Sequence, residues 1–400
     1  MSAAAAAFAE LFDRRALGIR LELETLRGAW RALGAPAAGV PAVHIVGTNG
    51  KGSTAAMVDH ALRRHGRRVG LFTSPHLHRV GERVRVGGVA DRDDALAAAL
   101  AQVQAIERTT VLPRPLSFFE LLTLAAWVRF AEAGVDTIVA EAGMGGRLDA
   151  TRICEAAVVA VASIDLDHRQ FLGDTVAAIA AEKIAVARTG VPVVTVAQVP
   201  EAFAVIEAHC AAIAAPLRVV APLSRPPMGR HGEHQRHNAA LALAAASVVA
   251  PGCTAADLDG VSWPGRLERI EVGAGTLLLD VAHNPAGIAA LCEALRADPA
   301  LPRTRILVGA VADKDHAAML AALRQLARPL AWIDLAAFGS AGVTAPGAAV
   351  PVLHDAAAVF AATDAALAAG EQVCVCGSHV LVAAVRARAL GLDAAEPGER

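Results

Sequence analysis

The chain of 400 residues contains no tyrosine, and aromatic residues make up only 4% of it. That scarcity excludes a core built mainly from stacked rings, so alanine, valine and leucine must pack closely in their place. No excess of charge of either sign is present. Lys and Arg number 37 against 39 Asp and Glu, for a formal net charge of -2 and a pI near 6.7. A general polyanion-binding surface, and nucleic acid as the main partner, are thereby argued against, whereas a local anion site is still allowed. Charged residues are only 19% and hydrophobic residues 55%, which excludes a disordered chain. No apolar run approaches the ~18 residues that cross a bilayer. The stretch AALALAAASVVA (239–250) reads instead as a buried helix. The beginning, MSAAAAAFAE, lacks the basic start and long leucine-rich segment of a signal peptide. A soluble, cytoplasmic monomer with no membrane association is expected. The six cysteines, Cys154, Cys210, Cys253, Cys292, Cys374 and Cys376, are scattered. They read as small buried hydrophobes, not as a disulfide framework or a zinc site.

What is present is alternation. Strand-like apolar runs at AVHIV (42–46), VGLFTS (69–74), TIVAEA (137–142), AVVAVASI (157–164) and VPVVTVA (191–197) alternate with helical patterns at 53–66, 117–133 and 175–188. A second series, TLLLDVA (276–282), RILVGAV (305–311), LAWIDLA (330–336) and QVCVCGS (372–378), alternates with alanine-rich helices. This is the pattern of α/β folds with parallel sheets covered by helices. The Gly- and Pro-containing stretch 261–275 reads as a linker. The expectation is a nucleotide-binding domain at 1–272, with a helical N-terminal segment, and a smaller Rossmann-like doubly wound domain at 275–400.

Between the first strand and its helix stands HIVGTNGKGST (44–54). Strand, glycine loop, lysine, hydroxyl residues and helix occur in the order that a phosphate-binding loop requires. Gly47, Gly50 and Gly52 let backbone N–H groups face phosphate oxygens, and the helix N-terminus adds partial positive charge. Lys51 offers a point charge to the outer phosphates, and Ser53 and Thr54 can bond a phosphate or ligate magnesium. The common motif places the hydroxyl residue directly after the lysine. Here Gly52 intervenes.

GTNGKGST resembles the ATP loop of the folylpolyglutamate synthase/dihydrofolate synthase family, within the Mur ligase superfamily. GLFTSPHL (70–77), SFFELLTLAAW (117–127), EAGMGGRLDAT (141–151), SIDLDH (163–168), AAEKIAVAR (180–188), HQRHNAALA (234–242), GRLERI (265–270), LDVAHNPAG (279–287) and ADKD (312–315) fit the same family. The resemblance spans about residues 15–385, and so many ordered motifs are far more specific than any one. Two departures stand out. The family has asparagine after LDAT where this chain has Arg152, and PLSFFE stands where the family often has a tyrosine.

The resemblance implies roles residue by residue. Thr48, Asn49, Gly50, Lys51, Gly52, Ser53 and Thr54 would hold ATP, with Asn238 against adenine and Arg266 and Asp280 reaching ATP across the interface of two closing domains. Ser74, Glu141 and His168 would ligate magnesium; by residue type alone His168 is equally an ordinary polar loop residue. Lys183 would be carbamylated by carbon dioxide, although on its own it reads as a solvated helix lysine. Asp280, His283 and Ser378 would position the incoming glutamate, with His283 a proton acceptor. Ser117, Phe118, Phe119, Glu120 and Asp149 would line the pterin site. His231, His234 and His237, at spacings of three, read as polar residues at a helix start and not as a zinc triad.

The implied reaction is ATP-dependent amide ligation of L-glutamate to dihydropteroate or a reduced folate through an acyl phosphate, with both activities in one enzyme. A Mur-type cell-wall ligase, a P-loop phosphotransferase or ATPase, and an inactive nucleotide-binding regulator are the competing readings.

Overall fold

The computed structural model describes residues 3–227, 232–340, 350–393 and 396. They form two compact units that change over at Val261–Ser262, with Gln235 and the residues just before it grouped with the second. The strands of the first unit are β1 (Pro41–Val46), β2 (Val69–Phe72), β3 (Val84–Val86), β4 (Val89–Ala90), β5 (Thr137–Glu141), β6 (Glu155–Val161), β7 (Val193–Thr195) and β8 (Leu217–Val219). Those of the second are β9 (Glu268–Val272), β10 (Gly275–Leu279), β11 (Thr304–Val308), β12 (Leu330–Ile333), β13 (Val352–Leu353) and β14 (Gln372–Cys376). The helices are α1 (Ala3–Asp13), α2 (Glu24–Ala32), α3 (Lys51–Arg64), α4 (Asp93–Thr109), α5 (Phe118–Glu132), α6 (Arg169–Leu172), α7 (Val176–Ile184), α8 (Pro200–Ala212), α9 (His234–Val249), α10 (Pro285–Arg296), α11 (His316–Arg324), α12 (Ala356–Ala368) and α13 (His379–Leu390).

In the first unit the strand order is β4-β3-β2-β5-β1-β6-β7-β8. The six strands from β2 to β8 run parallel, and β3 and β4 close one edge antiparallel. Central β1 and β5 are buried almost throughout, as parallel strands covered on both faces must be. Four of the aromatic rings gather in one place. Trp127 meets Phe72 edge-on at 5.9 Å and Phe130 at 5.7 Å, and Phe72 meets Phe119 at 5.6 Å. Alanine, valine and leucine fill the rest of that cluster.

The second unit has the order β13-β12-β11-β14-β10-β9, parallel except that β9 runs antiparallel to β10. Part of the expected linker, 268–272, is therefore an edge strand of this sheet. Its alternating burial leaves one face half-covered, and the flanking glycines mark the turn into β10. Cys292, Cys374 and Cys376 lie in the core beside Trp332. Among the described residues no helix is long and apolar enough to cross a membrane.

Trp127 is 1% exposed and the largest ring of its cluster. Trp127→Ala is expected to cost about 3–5 kcal/mol, measured as a drop in denaturant midpoint with an unchanged slope. A loss below 1 kcal/mol would mean that the ring cluster is not a stability centre.

Candidate active site

The glycine loop joins the end of β1 to α3, and Lys51 is the first helical residue. Gly50 has φ +86° and lies so close to the side-chain oxygen of Asn238 that any Cβ would collide with it. Only glycine meets both demands, so loop and Asn238 of α9 are fixed together. Thr48 N–H donates to Ser163 O at 2.7 Å, and Thr48 Oγ1 donates to Asp165 O at 2.9 Å while accepting from Asp165 N–H at 3.0 Å. Lys51 Nζ folds back on Thr48 O at 3.2 Å. Ser53 and Thr54 are buried in the first turns of α3.

Lys183, near the end of α7, is buried and donates from Nζ to Gly47 O at 2.8 Å. Burial, and secondarily the charge of Lys51, push its pKa down to about 7, against smaller opposing effects of Asp167 and Asp149. A substantial fraction of the amine is thus uncharged at neutral pH, unlike the solvated lysine its helical pattern suggests. Gly146 packs against the Lys183 carbonyl, where no side chain fits.

Glu141 closes β5 and is 3% exposed. Its Oε2 accepts the backbone N–H of Ser74 at 3.1 Å, in the loop after β2. Two of the three expected metal-site residues are thereby brought together. The third, His168, begins α6 in a left-handed conformation, φ +49°, with its N–H on Asp167 Oδ1 at 2.9 Å.

The region expected to line a pterin site divides. Ser117 caps α5: its Oγ accepts Glu120 N–H at 3.4 Å, and Glu120 Oε2 accepts Ser117 N–H at 2.9 Å. Glu120 is also held by Arg114 through contacts of 2.8 and 3.0 Å. Both residues thus serve the helix start. Phe118 packs between Phe12 and the Arg83 guanidinium, at 6.2 and 5.2 Å. Phe119 is half-buried and lies against Gly143. Asp149 is buried and accepts from Met144 N–H, Thr151 N–H and Thr151 Oγ1 at 2.9, 2.9 and 2.5 Å, while burial pushes its pKa up. Thr151 Oγ1 lies 2.8 Å from His44, whose imidazole is driven down to about 3, by burial first and by Arg188 and Arg152 after it.

In the second unit Asp280 accepts Leu267 N–H at 2.9 Å and Ala282 N–H at 2.8 Å, which fixes the backbone beside Arg266. His283 Nδ1 donates to Val281 O at 2.8 Å, because a carbonyl can only accept. Nε2 is therefore the basic nitrogen. The His379 ring lies 5.5 Å from that of His283; His379 follows Ser378, which caps α13 with its Oγ. Of the histidine triplet, His231 lies outside the described residues, and His234 and His237 fall in the first turn of α9. In the sequence His379 stands with Ser378 on the turn after QVCVCGS, where it carries no assigned role.

Comparison with known proteins places the chain in a family. Residues 265–379 match the family described as Mur ligase, glutamate ligase domain. A probable bifunctional folylpolyglutamate synthase/dihydropteroate synthase of Haloferax volcanii is 36% identical over 79% of this chain, a match spanning 41% of that protein's length. The dihydrofolate synthase/folylpolyglutamate synthase of Bacillus subtilis is 32% identical over 80% of this chain and 82% of its own. Among solved structures, Mycobacterium tuberculosis folylpolyglutamate synthase complexed with ADP and AMPPCP superposes with a TM-score of 0.84 at 29% identity, over 98% of this chain and 100% of that one. The chain belongs to the folylpolyglutamate synthase/dihydrofolate synthase family of ATP-dependent ligases.

Proposed function

We propose that the protein joins L-glutamate to the free carboxylate of dihydropteroate and of reduced folates, through an acyl phosphate, with one set of residues serving both acceptors. What carries this reading is a phosphate-type glycine loop leading a helix, in a chain whose second unit matches a glutamate ligase domain. A carboxylate is a poor electrophile because its leaving group would be an oxide. Transfer of the ATP γ-phosphoryl group to it makes an acyl phosphate; the glutamate amine then attacks the carbonyl carbon, and phosphate departs with the electrons of the C–O bond. Backbone N–H groups of residues 50–53 and Lys51 hold the phosphates, with Thr48 and Asn49 anchoring the loop on Ser163 O, Asn238 the adenine, and Arg266 the charge developing on the phosphoryl oxygens. Asp280 and Ser378 position the glutamate, and His283 Nε2 takes the amine proton. Phe119 borders the pterin side; Asp149 shapes it by holding Met144 and Thr151, and Ser117, Phe118 and Glu120 by holding the start of α5.

Ser74, Glu141 and His168 are the proposed holders of magnesium. The donor chemistry fits: one buried carboxylate and one hydroxyl suit an ion that keeps several waters and takes its remaining oxygens from phosphates. When bound, the ion supplies charge neutralisation at the phosphoryl oxygens. The neutral Lys183 amine can attack carbon dioxide, forming an N–C bond and releasing a proton, to give a carbamate anion in place of a cation.

Incubation with dihydropteroate or tetrahydrofolate, glutamate, ATP and magnesium should give, by mass spectrometry, each pterin extended by one glutamate, with one ADP per product. ADP released equally without glutamate or pterin would sink the ligase reading. Lys183→Ala should lose about 100-fold in turnover and regain part of it with a short free carboxylate, whereas an alanine variant of full activity removes the carbamate.

In buffer freed of carbon dioxide, Lys183 also predicts a pH effect. The unfolded chain keeps this lysine protonated up to its ordinary value of 10.5, while the folded protein releases the proton near 7. Between those values the unfolded state binds more protons, so stability rises with pH across the window and falls as pH drops back towards 7. Denaturant midpoints at pH 7 and pH 9 should rise more for the wild type than for Lys183→Met; parallel changes would contradict a depressed pKa.

A further inference from the structure

Four arginines of the first unit converge beside the loop that carries Asp149. Arg152 Nη1 donates to Arg147 O at 2.8 Å, and Arg188 Nη2 donates to Arg152 O at 2.7 Å, so three of them are linked through main-chain carbonyls. Arg27, on the exposed side of α2, lies within Coulomb reach of Arg152. Arg147 is paired with Glu182 at 3.0 Å, a half-exposed contact. Among the described residues, none of Arg27, Arg152 and Arg188 has a carboxylate at ion-pair distance. Burial and the three other arginines all press the Arg152 guanidinium towards its neutral form, and Arg147 and Arg152 act in the same direction on His209 of α8, where burial dominates. His209 Nε2 is itself buried without a hydrogen-bond partner. Clustered like charges with one counter-ion destabilise the fold, and an anion would relieve them. Planar guanidinium forks suit carboxylate or phosphate oxygens.

We propose that Arg27, Arg147, Arg152 and Arg188 form a site for the α-carboxylates of a γ-glutamyl tail on the acceptor substrate. This rests on the proposed ligase reading. Because the tail grows at its free γ-carboxylate, the reacting end stays at the glycine loop while each addition moves the pterin outward and leaves one more carboxylate between them. Arg147 follows Gly145–Gly146 directly and precedes Asp149 by two residues, so the cluster borders the loop assigned to the acceptor.

The direct test is calorimetric titration of the whole protein, saturated with ADP, with the peptide tri-γ-L-glutamate. The wild type should bind it, Arg27→Gln/Arg152→Gln should bind at least about tenfold more weakly, and Arg27→Lys/Arg152→Lys should stay within about threefold. In turnover, the Gln variant should raise KM about tenfold for an acceptor with three γ-glutamyl residues, leaving kcat and the KM for the monoglutamate within about twofold. Equal peptide binding by wild type and Gln variant, or equal KM changes for both acceptors, overturns the proposal. Binding of inorganic pyrophosphate to the cluster with none of the peptide overturns it too, by identifying a phosphate site. Peptide binding that follows the arginines in a protein without ligase turnover would support the anion site and sink the ligase reading; normal turnover with peptide binding indifferent to the arginines would do the reverse.

Discussion

The first unit is organised around a lysine amine almost wholly withdrawn from water. Lys183 Nζ has Gly47 O as its partner at 2.8 Å, and the lysine is 4% exposed. A cation there would carry a desolvation cost that one carbonyl does not offset, so the group is held near neutrality. The same turn of α7 organises a second loop, because the Lys183 and Glu182 carbonyls press on Gly146 and Glu182 O accepts Arg147 N–H at 2.9 Å. One helix end therefore sets the loop after β1 and the loop after β5 against each other. Those loops carry the phosphate-type glycines and the residues leading to Asp149.

Beneath them lies a second buried polar arrangement. Asp149 spends both carboxylate oxygens on Met144 and Thr151, and Thr151 Oγ1, its proton given to Asp149, accepts from Nε2 of His44 of β1. His44 is kept neutral by burial and by nearby arginines, so this chain of contacts brings no second cation under the sheet. Buried polar groups that are fully paired fix one arrangement of the backbone. The glycine-rich segment 143–146 is thus held between Asp149 on one side and the Lys183 and Glu182 carbonyls on the other.

Much of this was legible in the sequence where chemistry is local. Strand, glycines, lysine and helix in 42–64 announced an anion loop, and Glu141 at the end of an apolar run announced a carboxylate at a sheet edge. The edge strand β9 was not, because glycine and proline on its flanks outweighed a two-residue alternation of only five residues, ERIEV. Strands of two or three residues, such as β4 and β13, are too short to show a period at all. Ser117 and Glu120 carried the S-x-x-E signal of a capping box directly before an apolar helix, yet their place in a family motif drew attention to substrate instead. The arginine cluster draws on α2, on the loop before β6 and on the loop before β7. Its members lie too far apart along the chain for spacing to reveal them.

The displaced hydroxyl of the glycine loop also acquires a structural reason. In the common motif the residue after the lysine supplies a hydroxyl to the cation at a phosphate. Here Gly52 occupies that place, and the next hydroxyl, Ser53, is drawn into α3 and is 3% exposed. Glu141, at the end of the strand beside β1, binds the backbone N–H of Ser74, which leaves the Ser74 hydroxyl uncommitted among the described residues. A loop that has lost its own hydroxyl thus stands beside a strand end whose carboxylate anchors another, contributed by a different strand of the same sheet. The lysine of one strand loop and the carboxylate and hydroxyl of two others therefore stand at the ends of neighbouring strands of one sheet. On the proposed ligase reading, a cation held by that carboxylate and hydroxyl would act with Lys51 to offset the repulsion between a phosphoryl group and the carboxylate it approaches.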